Sequence, residues 1–202
     1  MRNLILIAVI WSFQISFSFA QLQSWQDTTT LFVKERGYLK DPVRSKWNSH
    51  IKKDGSNWVI SLYDRKNVIQ EQIQYADEEL SVRQGPYNAY WNGVLKIKGQ
   101  YNKGYKHGLW EYYGKETLLI EEANFYYDQY HGQRILYYYK GQRKRVENYV
   151  KGALHGVSSV YYPNGSIAAQ EEYENGVLQS GAKYYDIQGS PIEKSQLPIK
   201  LN

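Results

Sequence analysis

The chain has 202 residues, with 25 Lys+Arg against 20 Asp+Glu, a formal net charge of +5 and no cysteine. That length fits one domain or a repeat array, and so mild a basic balance selects no partner by itself. The missing cysteine excludes disulfides, zinc–cysteine sites and cysteine nucleophiles, so the fold must rest on burial and sheet hydrogen bonds.

Residues 1–20, "MRNLILIAVIWSFQISFSFA", carry one cation, Arg2, then an apolar run, then Ser18 and Ala20 at the −3 and −1 positions of a cleavage site. This pattern predicts a secretory signal peptide with Gln21 as the new N-terminus. Gln14, Ser16 and Ser18 interrupt the apolar run, which is too short for a membrane span. Cleavage would remove Arg2 alone, leaving 24 cations and 20 acids, a formal charge of +4. The predicted location is the periplasm or the medium. With no cysteine to acylate, the protein would not be a lipoprotein.

Residues 21–51 contain Trp25, Leu31, Phe32, Val33 and Trp47 but do not fit the pattern that follows. They read as an N-terminal cap on a sheet edge, or as a linker that orders with a partner. From 52 to 197 the chain repeats with a period of 24 residues in about six units, with two extra residues between the first and second. The segment 198–202 is a short tail.

Two columns of the repeat are aromatic. One holds Tyr63, Tyr113, Tyr137, Tyr161 and Tyr185, with Ala89 as the exception. The other closes each unit with Tyr75, Tyr101, Phe125, Tyr149 and Tyr173. A third column holds turn formers, Asn67, Gly93, Gly141, Gly165 and Gly189. Unit 102–125 breaks it with Thr117 and has Gly114 three residues earlier, which predicts a displaced turn there. Runs such as "LWEYY", "ILYYY" and "SVYY", each followed by a turn and a second run, spell β-hairpins. In "YPNGS", Pro163 presets φ, Asn164 follows and Gly165 takes the left-handed position. A second turn joins units and carries its own glycines, Gly104, Gly152 and Gly176, together with the pairs His107-Gly108, His131-Gly132 and His155-Gly156, which read as part of the same chain reversal. The predicted fold is all-β: an elongated antiparallel sheet of stacked hairpins, advancing roughly 10 Å per unit.

These residues resemble the MORN repeat, in its bacterial variant form. Gly104, Gly108, Trp110, Tyr112 and Tyr113 carry the resemblance in one unit, and Gly152, Gly156, Tyr161, Tyr162, Asn164, Gly165, Tyr173, Asn175 and Gly176 carry it further on. It covers most of residues 52–197 and is clearest from 85 to 189. The resemblance implies stacked β-hairpins and little chemistry. Similar proteins are often labelled YwqK-family antitoxins, which implies a second role, neutralising a partner toxin.

The histidines recur with the repeat, so equivalent ones lie about 10 Å apart. One zinc ion needs each ligand nitrogen at about 2 Å. His107, His131 and His155 therefore read as structural turn residues, and Gln179 replaces them in the last unit. The recurring Glu71, Glu121, Glu122, Glu147, Glu171 and Glu172 read as a solvated strand face. No hydrolase, metalloprotease or phosphate-loop motif is present, and no enzyme activity, metal or cofactor is expected. Arg134, Lys140, Arg143, Lys144 and Arg145 gather around one hairpin turn and form a candidate contact for an anionic partner. Export argues against nucleic acid. Adjacent tyrosines in a strand point to opposite faces, so aromatic rings should occupy both, and some should be exposed. The reading is an exported, non-catalytic module that binds a protein or an envelope component such as anionic lipid or polysaccharide.

Overall fold

The computed structural model describes residues 30–34, 37–39, 47–179 and 181–199. The predicted signal segment 1–20 lies outside the described residues, as do 21–29 and 200–202. The chain divides into two compact units, Met1–Gly85 and Pro86–Asn202.

In the first unit the described strands are β1 (Thr30–Lys34), β2 (Gly37–Leu39), β3 (Trp47–Asp54), β4 (Asn57–Tyr63) and β5 (Ile69–Tyr75). All pair antiparallel: β1 with β2 and β3, β3 with β4, and β4 with β5. β3 starts at Trp47, so the sequence boundary at residue 51 falls inside a strand, and β3 also pairs with β1 upstream of it. One face of β3–β5 is apolar, as alternation requires. It buries Ile51, Trp58, Ile60, Leu62, Ile73 and Tyr75. The two extra residues of the repeat sit in the loop 76–82. There Asp77 accepts the backbone N–H groups of Ser81 and Val82 at 2.8 and 2.7 Å.

β6 (Arg83–Trp91) contains the division. The second unit continues through β7 (Val94–Asn102), β8 (Tyr105–Lys106), β9 (Gly108–Tyr113), β10 (Leu119–Tyr126) and β11 (Gln129–Tyr137). It ends with β12 (Arg143–Val150), β13 (Ala153–Leu154), β14 (Gly156–Tyr161), β15 (Ile167–Glu174), β16 (Val177–Leu178), β17 (Lys183–Tyr185) and β18 (Pro191–Ile192). From β7 onward the long strands pair antiparallel in chain order, as the repeat predicts, and the two-residue strands β8, β13 and β16 pair back on β7, β12 and β15. The fold is all-β and built from repeated hairpins. The final strand is two residues long and starts with a proline, which suits it to end a sheet without offering a template.

Chain reversals in this unit alternate between two edges. On one edge lie two-residue turns with both φ values positive: Lys103-Gly104, Tyr127-Asp128, Lys151-Gly152 and Asn175-Gly176. These match the right-handed twist of the strands they join. On the other edge lie the two-residue turn Asn92-Gly93, also with both φ values positive, and longer reversals spanning 114–118, 138–142, 162–166 and 186–190. In the second of these, Tyr138 N–H donates to Gln142 O at 2.8 Å and Gly141 N–H to Tyr138 O at 2.9 Å. The same pair of bonds recurs at 162–166 and 186–190.

Two sequence expectations about turns are corrected. The turn of unit 102–125 keeps the outer frame of the others, and only its inner bond is displaced, by one residue: Leu118 N–H donates to Lys115 O, and Glu116 joins Thr117 at positive φ. Gly114 N–H donates to Leu118 O, the same frame as in the other units, and Thr117 takes the left-handed φ of 56° in the glycine column. Strand pairing on both sides holds the register, and a β-branched residue bears the strain. Thr117→Gly is therefore expected to stabilise the second unit by about 1 kcal/mol, read as a raised urea midpoint at unchanged slope. An unchanged or lowered midpoint would refute the strain.

The His-Gly pairs are not chain reversals either. They form bulges just after the two-residue turns. Between Tyr101↔Lys106 and Lys98↔Glu111 the second strand carries two more residues than its partner. Gly108, Gly132 and Gly156 take φ of 68°, 91° and 84° in these bulges, and His131 lies within β11. The N–H of His107 donates to Gln100 O and that of His155 to Asn148 O. The amides of Asn124 and Asn148 reach the carbonyls of Gln133 and Val157, at 2.9 and 2.8 Å.

Candidate functional site

The column Tyr101, Phe125, Tyr149 and Tyr173 lies on one face of the second unit. Around Trp110, which is 1 % exposed, the rings of Tyr87, Tyr101 and Phe125 pack at centroid distances of 5.4, 5.2 and 6.2 Å. Phe125, Tyr130 and Tyr149 continue the stack at 4.7 and 5.0 Å. The Lys106 ammonium sits 4.3 Å from the Trp110 ring centroid and 5.1 Å from that of Phe125, and donates to Tyr112 Oη at 3.3 Å. Burial lowers the pKa of this lysine, opposed by the carboxylates of Asp128 and Glu121.

The same face carries a buried carboxylate in two successive units. Glu147 is 5 % exposed and Glu171 is 6 % exposed, which corrects the solvated-face reading for both. Glu147 accepts from Arg134 Nη1 at 3.0 Å, Arg145 Nη1 at 3.2 Å and Tyr149 Oη at 3.0 Å. Glu171 accepts from Tyr173 Oη at 2.9 Å and Tyr184 Oη at 3.1 Å, with Lys194 Nζ at 3.7 Å. Arg134 also donates from Nε to Glu121 at 2.8 Å and lies over the Tyr130 ring. Burial works against its charge, but Glu121 and Glu147 hold its pKa above the ordinary value.

The other aromatic column, Tyr63, Tyr113, Tyr137, Tyr161 and Tyr185, is half-buried throughout. Tyr137 Oη donates to Glu122 at 2.6 Å. A further set of tyrosines, which the sequence reading missed, ties the long turns together. Tyr138 Oη donates to Tyr161 O and Tyr162 Oη to Tyr185 O, both at 2.8 Å. The 24-residue recurrence of Tyr138 and Tyr162 was the available signal.

Burial first, and then neighbouring phenols and carboxylates, push Tyr112, Tyr137 and Tyr173 up to about 12. An unfolded tyrosine titrates near 10. The folded state therefore holds these protons more tightly, and their contribution is complete below about pH 10 and lost as pH rises toward 12. Tyrosinate absorbance should show a late-titrating group coincident with alkaline unfolding. Titration of every tyrosine near 10 in a still-folded protein would contradict this.

The basic cluster does not form one patch. Arg134 and Arg145 are held by Glu121 and Glu147. Lys140, Arg143 and Lys144 remain exposed and make no ion pair among the described residues.

The two-residue turn edge is stitched along its length. Asp128 N–H donates to Lys106 O, Gly152 N–H to Tyr130 O and Gly176 N–H to Leu154 O. On this edge stand exposed rings, Tyr105 at 48 %, Tyr126 at 50 % and Tyr127 at 44 %. Tyr127 meets Tyr105 at 5.5 Å and Tyr126 at 4.6 Å, the latter at 89°. Tyr126 lies between the imidazoles of His107 and His131, at 5.5 and 5.7 Å. Two edge contacts and two tilted ones thus link five rings, of which Tyr105, Tyr126, Tyr127 and His131 are exposed and His107 is half-buried. Among the described residues there is no group of three or more His, Cys, Asp or Glu placed to hold a metal ion. No helix among them is long and apolar enough to cross a membrane. No protein-family model matches the chain, and no curated protein matches it significantly.

Proposed function

We propose that this chain is an exported, non-catalytic repeat protein that holds a protein or another cell-envelope component. The observation that carries the reading is the ring cluster Tyr105–Tyr126–Tyr127 on a hydrogen-bonded turn edge: large, ordered aromatic surface left in water. The features of residues 1–20 support export, and the resemblance to MORN repeat variants supports a hairpin array used for contact. Lys140, Arg143 and Lys144 are secondary candidates, for an anionic group on the same partner.

The test uses the full chain and the triple variant Tyr105→Gln, Tyr126→Val and Tyr127→Asn. Each replacement is the residue this chain itself uses at an equivalent position, 129, 150 and 175. Native protein should be retained by envelope fractions of the producing cells, and the variant should be released. Equal retention of both would refute the assignment. A mature N-terminus at Gln21 is expected on protein recovered outside the cytoplasm, and an uncleaved cytoplasmic form would refute export.

A further inference from the structure

The two-residue turns show where this array departs from its own rule. Aligned by the repeat, the four turn segments read "NKGY" (102–105), "YYDQ" (126–129), "VKGA" (150–153) and "ENGV" (174–177). Three place glycine second. The exception places Tyr127 at φ 49° and Asp128 at φ 64°, both left-handed. The first-position φ is shared with Lys103, Lys151 and Asn175 at 51°, 49° and 50°, so what sets this turn apart is a bulky aromatic placed there, which that conformation disfavours, with no glycine after it. Asp128 has a local role, since its Oδ1 accepts Lys106 N–H at 2.6 Å. The Tyr127 ring is exposed, and its ring contacts are with two other exposed rings, Tyr105 and Tyr126.

We infer that the Tyr105–Tyr126–Tyr127 cluster, flanked by His107 and His131, is a binding site for an uncharged polysaccharide. The inference rests on the interaction role proposed above and names the ligand class. Sugar rings present C–H faces that stack on aromatic rings, and their hydroxyls both donate and accept. The cluster supplies exposed rings beside groups of both kinds, with Asp128 and Gln129 in the same segment and lysines at 103 and 151 on the adjoining turns. Two cations against one carboxylate give little drive for a strongly charged ligand. An extended peptide added as a strand is disfavoured, because the turn N–H groups of Asp128, Gly152 and Gly176 already donate within the fold. The next turns along the edge, spaced about 10 Å apart, continue with exposed Val150, Val177 and Leu178. That track suits a linear polymer better than a single sugar.

The test titrates the full chain with cellohexaose, chitohexaose and maltohexaose, followed by calorimetry and by tyrosine fluorescence. At least one should bind, with an affinity insensitive to salt. Tyr126→Val with Tyr127→Asn should weaken it by about tenfold or more. Tyr127→Asn alone should leave thermal stability unchanged or raised, because asparagine accepts the left-handed conformation more readily. Binding of none of the three sugars, or equal binding by the variant, would overturn the inference. So would a lowered stability of Tyr127→Asn, which would make the ring structural. If the native chain holds envelope fractions through these tyrosines yet ignores all three sugars, the ligand class is wrong and the interaction role stands. If native and variant chains hold those fractions equally, the role falls as well.

Discussion

Trp110→Ala is expected to destabilise the second unit by about 3–5 kcal/mol, the range for removing a buried large aromatic. That is a large share of a domain stability of about 5–15 kcal/mol, so much of the unit should be unfolded at mild denaturant. The ring is held from several sides. Tyr87, Tyr101 and Phe125 pack against it, the Lys106 ammonium lies over it, and its Nε1–H donates to Gln100 O at 3.2 Å. The same carbonyl accepts His107 N–H, so Trp110 also braces the bulge. Gly99 makes the site stricter. A Cβ there would stand 2.3 Å from Trp110 Cδ2 and 2.5 Å from Cε2. Gly99→Ala must push the ring into neighbours that leave no room, and is expected to cost about 1–3 kcal/mol. Urea unfolding followed by tryptophan fluorescence for Gly99→Ala, and by circular dichroism for Trp110→Ala, reads both effects. A loss below about 1 kcal/mol for Trp110→Ala would show that the stack is not the core of this unit.

Much of the architecture is legible in the sequence. The 24-residue recurrence implied an all-β chain of repeated antiparallel hairpins, and that is the architecture. What was misread has a common physical source: local residue preference was weighed above register and alternation. Thr117 was expected to shift its turn because threonine resists positive φ. The cross-strand bonds of β9 and β10 fix that reversal from outside, and the residue complies. The histidines marked a real periodic feature, but a bulge and a turn both ask for a glycine with positive φ, and one sequence signal served for two adjacent devices. Glu147 and Glu171 read as solvated because they recur along an extending sheet. Each is followed two residues later by a tyrosine on the same strand face, and alternation alone placed that pair beside the aromatic column. The exposed cluster at Tyr126 and Tyr127 was visible as a "YY" pair, yet only the turn at 127–128 shows that the two rings share one edge instead of opposite faces of a strand.

Alternation also divides the basic run. Lys144 and Arg145 are neighbours in β12 and must point to opposite faces. Arg145 and Arg134 then meet Glu147, while Lys144 stays in water. Arg134→Met is therefore expected to cost about 2–3 kcal/mol of stability, because it strands Glu121 and leaves the buried Glu147 with Arg145 and Tyr149 alone. The loss should not be recovered by Arg134→Lys. The guanidinium uses Nε toward Glu121 and Nη1 toward Glu147, a fork that one ammonium cannot reproduce. Combining Arg134→Met with Glu147→Gln should cost less than the sum of the two single changes, since the double variant no longer buries an under-compensated carboxylate. Urea unfolding of the four proteins closes the cycle. Additive losses would mean that the two groups do not act together. A stability-neutral Arg134→Met would mean that the arginine is free for an external anion, as the sequence alone had suggested. The predicted result assigns Arg134 to tying β10, β11 and β12 together and Arg145 to neutralising Glu147 within β12, and leaves Lys140, Arg143 and Lys144 as the basic residues of that hairpin free to meet a partner.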